Sequence, residues 1–297
     1  MASNLYTHQT ENIARTWVLM VVFALIVIGV GWAVSFYFES PALLYVAVAF
    51  AVFMNVGSYW FSDKIAAKMA GAHPADERQY QELHNIVENL AITAGLPKPR
   101  VYIIDDPAPN AFATGRNAEH ALVAVTTGLL SMMERSELEG VLAHELSHIG
   151  NRDMLVATVA VVLVGFVTII SDIFLRATFF GGRGSNDNRG HPALAILAVV
   201  MIVLAPVAAT LIRLAVSRKR EFLADASGAL LTRYPEGLAS ALQKIGGYPA
   251  ALRKANTATA HLFISNPFGP AKAMSGLAKL FMTHPPVEER VKALLGK

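Results

Sequence analysis

Two histidines flank a glutamate in the segment His144-Glu145-Leu146-Ser147-His148. Residues at positions i and i+4 lie on the same face of a helix, so both imidazoles can bind one metal ion. The glutamate beside the first histidine can then reach a water on that ion and take its proton. The pattern therefore predicts metal-assisted hydrolysis with Glu145 as general base. The pattern also arises by chance on surface helices that carry two solvated histidines.

A catalytic zinc site needs a third protein ligand and one open coordination position. The extended pattern HExxHxxGxxH would require Gly at position 151 and His at position 154. This chain has Asn151 and Met154 there, which excludes that class of site. Asp153 is set aside as a ligand because it lies too close in sequence to fold back onto the two histidines.

Four apolar stretches are long enough to cross a bilayer; they are residues 17–38, 42–61, 155–174 and 192–215. The third begins just after His148, and the fourth ends just before Glu221. Because two spans of similar length return the chain to the same face of the membrane, this hairpin brings Glu221 to the level of the histidines. Glu221 is thus the predicted third ligand. Asp225 follows one helical turn later and is predicted to accept the other N–H of a bound histidine, the alternative being an ion pair with Arg218 or Arg220.

The composition agrees with a membrane protein, since 54% of the 297 residues are hydrophobic and only 16% are charged. Soluble domains are about a quarter charged. Charge is concentrated in two segments, which predicts four parts: an N-terminal transmembrane hairpin (1–61), the first half of a water-exposed domain with the HExxH helix (62–153), a second transmembrane hairpin (154–216) and the second half of that domain with the third ligand (217–297). The absence of cysteine excludes disulfides and thiolate metal sites.

Lysine and arginine near the span ends predict the orientation in the membrane. The turn between the first two spans carries neither residue, whereas Lys64 and Lys68 follow the second span, and Arg218 and Lys219 follow the fourth. Both termini and the HExxH helix are therefore predicted to be cytoplasmic. A net charge of +3 without a basic patch interleaved with aromatic residues argues against binding to nucleic acid.

The periodicity of apolar residues predicts a small α/β layer around the HExxH helix. We expect a helix over residues 76–94, strands over 100–104 and 121–126, and a short edge strand over 111–114. The pattern Ser136-x-x-Glu139 predicts a capping box that opens the HExxH helix. Further helices are predicted over 221–246 and 271–295. The predicted fold class is an α-helical membrane protein with four transmembrane helices and a mainly α, zincin-like cytoplasmic domain that contains a small sheet with an edge strand.

With these residues in place, the chain resembles the HtpX family of membrane metalloproteases and, more distantly, the CaaX prenyl-protease family. The resemblance is carried, in this order, by the stretch PNAFATG from Pro109, AHELSHIGNRD, EFLAD from Glu221 and THPPVEER near the C-terminus. It implies one Zn²⁺ per chain, held by His144, His148 and Glu221, with Glu145 as general base.

The resemblance also implies roles that spacing alone does not provide. Asn110 would contact the substrate or the tetrahedral intermediate, and residues 110–113 (Asn110, Ala111, Phe112 and Ala113) would bind an extended substrate backbone at the sheet edge. His284 would stabilise the oxyanion, and Arg290 would hold that segment in place. The alternatives are an asparagine that caps a turn and a histidine that begins a helix before Pro285.

The function implied by the resemblance is hydrolysis of misfolded or damaged membrane proteins on the cytoplasmic side of the cell inner membrane, as part of stress response and quality control. The partners would be membrane-protein and unfolded polypeptide substrates, the lipid bilayer and cooperating quality-control proteases. Three alternatives remain: an intramembrane protease, a CaaX-type processing enzyme and a zinc-binding scaffold or chaperone without hydrolysis. Charged residues on both sides of HExxH disfavour the first, four spans disfavour the second, and Glu145 disfavours the third.

Overall fold

The computed structural model describes residues 5–180, 218–256, 258–269 and 285–296. The helices in these ranges are α1 (Leu5–Tyr37), α2 (Pro41–Ala70), α3 (Gln81–Ala94), α4 (Thr127–Met132), α5 (Arg135–Gly150), α6 (Asp153–Phe180), α7 (Arg218–Thr232), α8 (Pro235–Gly247) and α9 (Val287–Leu295). The strands are β1 (Ala72–Pro74), β2 (Arg100–Ile104), β3 (Ala111–Thr114) and β4 (Leu122–Thr126). The protein is therefore mainly helical with one small sheet.

Two of the described helices are long and apolar enough to cross a membrane, at Asn12–Phe36 and Pro41–Ala70. A third span is counted only if the sharply bent pair α5 and α6 is taken as one. The predicted third span, residues 155–174, lies within α6. The predicted fourth span, residues 192–215, lies outside the described residues, so the total of four spans remains a prediction. Large apolar side chains such as Trp32, Phe36 and Phe53 are exposed on α1 and α2, as expected of surfaces that face lipid.

Helix α2 is longer than a bilayer requires, because its 30 residues extend about 45 Å. One face of its C-terminal turns, from Ser62 to Ala70, is buried against the sheet. Asp63 in this part of the helix accepts a hydrogen bond from Arg100 of β2 at 2.6 Å. The second membrane helix thus continues directly into the core of the folded domain.

The sheet has the strand order β1-β2-β4-β3 and is mixed. Strand β2 pairs parallel to β4, and β1 and β3 pair antiparallel to their neighbours. Val101 and Ile103 point to the face covered by α3 and α5, whereas Ile104 packs on the opposite face with α2. Since both faces are covered, the strands are almost continuously apolar. Strand β3 lies at the edge, where the sequence predicted it.

Three predicted boundaries were wrong. The capping box of α5 uses Glu134 and Glu137 rather than Ser136 and Glu139, because the helix begins two residues earlier and the Glu137 carboxylate accepts the N–H of Glu134 at 2.9 Å. Helix α3 begins at Gln81, since the Asp76 carboxylate holds a turn by accepting two backbone N–H groups. The helix predicted over 221–246 is broken at Arg233, which has a φ of 56°.

Helix α5 lies at the centre of the domain and is buried along most of its length. It ends at Gly150, and the left-handed backbone of Arg152 (φ 57°) turns the chain sharply. Helix α6 consequently leaves at 86° to α5. The N-terminus of α6 is held beside the last turn of α5 by this corner.

Helix α7 approaches α5 closely through Gly228. A Cβ at this position would lie 2.9 Å from the backbone nitrogen of His144 and 3.1 Å from its Cα. Gly228→Ala should therefore force the two helices apart and lower the free energy of unfolding by about 1–3 kcal/mol. Thermal unfolding of the purified full-length protein in detergent measures this change. Gly247→Ala is the matched control because a Cβ there meets no atom within 4 Å; equal melting temperatures for the two variants would contradict the close-packing assignment.

Candidate metal centre and catalytic groups

His144 and His148 point their Nε2 atoms toward one another from successive turns of α5, with 3.2 Å between them. Glu221 approaches from α7, where Oε1 lies 3.6 Å from Nε2 of His148 and Oε2 lies 4.0 Å from Nε2 of His144. These three side chains form a group able to hold a metal ion, with ligand atoms within 4.8 Å of one another. His144 and Glu221 are buried and His148 is partly exposed.

The donor set fits a tetrahedral zinc ion. Zinc–nitrogen bonds of 2.0–2.1 Å at tetrahedral angles place neighbouring donor atoms about 3.3 Å apart. The separations of 3.2 and 3.6 Å around His148 are close to this value, and the 4.0 Å between Nε2 of His144 and Oε2 of Glu221 is longer. Two imidazoles and one carboxylate are also a donor set typical of catalytic zinc, which leaves one position open.

Asp225 orients the first histidine from behind. Its Oδ1 lies 2.9 Å from Nδ1 of His144, so Nδ1 donates its proton and the Nε2 lone pair faces the centre. Arg290 of α9 holds the same carboxylate with two hydrogen bonds of 2.8 and 2.6 Å and also donates to the carbonyl of Ile264 at 2.9 Å. The Arg290 guanidinium lies 3.4 and 3.5 Å from the two ring nitrogens of His144. Because these distances are nearly equal, the guanidinium packs against the imidazole ring of His144.

The charges of these groups are strongly coupled in the metal-free protein. Burial lowers the pKa of His144 to about 4, against the opposing effect of Asp225. Burial also lowers the pKa of His148, but hydrogen bonding to Asp153 and the charge of Glu221 outweigh it, and the net pKa rises to about 9. Burial raises the pKa of Asp225, yet the bonds from Arg290 and His144 prevail and bring it to about 2.

Glu145 is a buried carboxylate whose pKa is subject to opposing effects. Burial raises its pKa to about 7, opposed by the charge of His148 and by a hydrogen bond from the backbone N–H of Ala113 in β3. A carboxylate with a pKa near neutral can both take and return a proton under ordinary conditions. This matches the requirement for a general base.

Asp153 supports the second histidine, a role that the sequence did not predict. Its Oδ2 lies 3.3 Å from Nδ1 of His148. The sequence reading set Asp153 aside because it is too near to fold back as a ligand, and it does lie outside the ligand group. The corner between α5 and α6 nevertheless brings its carboxylate behind His148. Only recognition of a helix break at residues 151–152 would have revealed this contact.

A cavity of about 40 Å³ opens onto the three candidate ligands and Glu145. It is lined on one side by residues 261–264, including His261, which is buried and bonded through Nε2 to the carbonyl of Ala157 at 3.0 Å. This volume is enough for an ion and a few waters but not for a polypeptide. His261 lies in a short 3₁₀ turn beside the centre, a position that no sequence motif indicated.

The outer edge of β3 is occupied by the same segment of chain. The backbone N–H of Ile264 donates to the carbonyl of Ala111 at 2.9 Å, and the amide of Asn110 donates to the carbonyl of Ser265 at 3.0 Å. The Phe263 ring packs edge-on against Phe112, with 5.1 Å between ring centroids. Residues 263–265 therefore lie where an added strand would pair.

The predicted site residues fall into three groups. The structure brings the first group together at one centre. This group contains two histidines, three carboxylates, one arginine and the backbone of one strand residue: His144, His148, Glu145, Glu221, Asp225, Arg290 and Ala113. Asn110, Ala111 and Phe112 lie along β3 against residues 263–265, and the cavity is lined without them over the described residues. His284 lies outside the described residues.

Comparison with known proteins shows the family to which the sequence is similar. The sequence model of "Peptidase family M48" matches residues 77–297. The chain is 48% identical to the "Protease HtpX homolog" of Caldanaerobacter subterraneus subsp. tengcongensis, covering 98% of this chain and 97% of that protein. It is 49% identical to the protein of the same name from Thermoanaerobacter pseudethanolicus, covering 98% and 97%. The crystal structure of S. mikatae Ste24p matches 97% of this chain and 67% of its own, with a TM-score of 0.49 and 18% identity.

Arg290 compensates two buried carboxylates, since it also lies 3.8 Å from Glu221. Arg290→Met should leave these charges uncompensated and lower the free energy of unfolding by about 3–5 kcal/mol. Arg135→Met is the matched control, because Arg135 pairs with Glu139 on the surface and its loss should cost under about 0.5 kcal/mol. Thermal unfolding of both variants in detergent measures the difference. Similar melting temperatures would show that the buried network contributes no more than a surface pair.

Proposed function

The chain belongs to peptidase family M48 and is a membrane-associated metalloprotease of the HtpX type, and from this we propose that it is a zinc-dependent endopeptidase of the cell inner membrane. The observation that carries the proposal is the convergence of two helical histidines and Glu221 on one point, with the buried carboxylate of Glu145 beside them.

His144, His148 and Glu221 would hold one zinc ion per chain. When bound, zinc lowers the pKa of its water and polarises a carbonyl oxygen. Asp225 keeps the Nε2 lone pair of His144 directed at the centre by accepting its Nδ1–H. Asp153 does the same for His148, because its Oδ2 lies 3.3 Å from Nδ1 of that histidine.

Glu145 would act as general base and then as general acid. Its carboxylate is excluded from bulk water, and its pKa near 7 in the metal-free protein fits a group that takes a proton from water and returns it to the leaving amine. The Ala113 N–H bonds this carboxylate, which ties the position of the base to the strand proposed to bind substrate. His284 would stabilise the oxyanion.

Residues 110–113 of β3 would bind the substrate backbone as an added strand. In this structure the backbone N–H of Ile264 donates to the Ala111 carbonyl with which such a peptide would pair. The small cavity supports the same reading, because polypeptide access requires residues 261–265 to move away from β3. Main-chain pairing selects weakly among side chains, which suits cleavage of damaged proteins of varied sequence.

The membrane arrangement is proposed as four spans, with residues 1–61 and 154–216 forming two hairpins and residues 62–153 and 217–297 forming one cytoplasmic domain. The two apolar N-terminal helices and the 86° corner between α5 and α6 support this proposal. Misfolded or damaged membrane proteins would be the substrates, and other quality-control proteases would cooperate. Because α5 is buried among α3, α7, α8 and the sheet, the centre belongs to the folded domain, which disfavours cleavage within the bilayer.

Glu145→Gln and Glu221→Ala should separate catalysis from metal binding. Glu145→Gln keeps the candidate ligands and should retain zinc while lowering cleavage of an unfolded polypeptide about 10²–10⁴-fold. Glu221→Ala removes a ligand and should lose stoichiometric zinc. Zinc per chain and cleavage rate are measured on purified proteins in detergent. Wild-type cleavage by Glu145→Gln would refute the assigned base, and unchanged zinc in Glu221→Ala would refute the third ligand.

Zinc affinity should increase with pH, because metal binding must displace the proton from His148. In the metal-free protein the pKa of His148 is about 9 and that of His144 is about 4. Of these two histidines, only His148 therefore carries the extra proton near pH 8. The apparent affinity should rise about tenfold per pH unit from about pH 7.5 to 8.5 and level off above about pH 10. Competition with a chromophoric chelator measures this slope. A flat profile would contradict the protonation state assigned to His148.

A further inference from the structure

The support behind His148 extends beyond Asp153 to a buried polar side chain of the first membrane helix. Asn12 of α1 is 3% exposed. Its Nδ2 donates to Oδ1 of Asp153 at 2.6 Å and to the backbone carbonyl of Asn151 at 3.2 Å. Both of these partners are oxygens that can only accept, so the orientation of the Asn12 amide is determined by its surroundings. The other oxygen of Asp153 faces His148.

The side-chain oxygen of Asn12, Oδ1, contacts a residue of α7. It accepts from Nη1 of Arg220 at 3.4 Å, and the same Nη1 lies 3.6 Å from Oδ1 of Asp153. Arg220 immediately precedes Glu221 on α7. A single amide thus contacts the corner after α5, the first residue of α6 and the residue next to the third candidate ligand.

We propose that Asn12 is a positioning residue through which the N-terminal helix becomes part of the metal site. Asn12 fixes the carboxylate of Asp153, Asp153 orients the imidazole of His148, and Arg220 lies 3.6 Å from the same carboxylate. The proposal rests on the proposed role of His148 as a metal ligand. It reaches outside the segment matched by the family sequence model, which begins at residue 77.

The physical basis is the effect of outer hydrogen bonds on a metal-binding imidazole. A histidine whose second nitrogen is bonded to an oriented carboxylate is held in one tautomer and one ring orientation, and loss of such a partner lowers metal affinity about 10–100-fold. If Asn12 is lost, the Asp153 carboxylate keeps its contact with Arg220 but loses its shortest hydrogen bond. We therefore expect an effect at the lower end of this range.

The test measures zinc affinity by chelator competition on the full-length protein in detergent. All variants carry Glu145→Gln, so that no peptide cleavage enters the readout. Asn12→Ala should weaken zinc binding about tenfold and Asp153→Ala about 10–100-fold. The double variant should bind no more weakly than Asp153→Ala alone, because both residues act through one contact.

Thr16→Val is the matched control, since Thr16 is equally buried one turn along α1 and its hydroxyl donates to the backbone carbonyl of Asn12 in the same helix. It should leave zinc affinity unchanged. Asn12→Asp keeps the shape of the side chain but replaces the donor with an acceptor, and it should weaken binding at least as much as Asn12→Ala. The melting temperature of each metal-free variant reports folding separately from metal affinity.

Three outcomes decide the proposal. Zinc affinity of Asn12→Ala or Asn12→Asp within twofold of the parent, or independent multiplication of the Asn12→Ala and Asp153→Ala effects, would overturn it. A lower metal-free melting temperature with unchanged affinity would assign Asn12 a packing role and would overturn it as well. His148→Ala distinguishes the underlying assumption: if that variant retains full zinc affinity, the proposed metal site itself is wrong.

Discussion

Charge balance in a buried centre is the constraint on which the other features of this structure depend. Glu221 and Asp225 lie one turn apart on α7 and are both buried beside His144. Carboxylates removed from water are costly unless a cation and hydrogen bonds compensate them. Arg290 provides both, and it comes from the C-terminal helix. Helices α5, α7 and α9 must therefore pack together for the carboxylates to be buried, and this packing is what gathers the candidate ligands.

The same principle operates on the opposite side of the ligand pair. Asp153 lies between His148 and Arg220, and its carboxylate is reached only because the chain turns sharply at Arg152. Each candidate histidine ligand thus has its own carboxylate, and each carboxylate has its own arginine. The two supports come from different parts of the fold. Asp225 belongs to the helices of the domain, whereas Asp153 begins the helix that leads away from it and contacts Asn12 of the N-terminal helix.

Access to this centre is restricted by the chain itself. Strand β3 is the edge of the sheet and its Ala113 N–H bonds the Glu145 carboxylate, so under the proposed function it would align a peptide with the base. Its outer edge, however, is bonded by Ile264, whose own carbonyl is held by Arg290. The arginine that balances the buried carboxylates therefore also fastens the segment that covers the strand. The Arg290 side chain is thus bonded both to Asp225 in the centre and to Ile264 in the segment beside β3.

The helical period of the sequence was sufficient to predict which side chains share a face, because that relation is local. It placed His144 and His148 together, and it placed Asp225 in register with Glu221. The apolar stretches were enough to predict that Glu221 returns to the histidines, although the second arm of the hairpin that carries the prediction, residues 192–215, lies outside the described residues. The resemblance to a known family implied the roles of Arg290 and of residues 110–113 in β3.

The tertiary structure alone decided the contacts that join distant elements. The pairing of Asp153 with His148 needed a backbone corner that residue types do not reveal. The contact of Asn12 with Asp153 joins residues 141 positions apart, and the pairing of Ile264 with β3 joins a loop to a strand with no shared pattern. Local periodicity determines which way a side chain faces on its own helix, whereas its partner across the core depends on how all the helices pack at once.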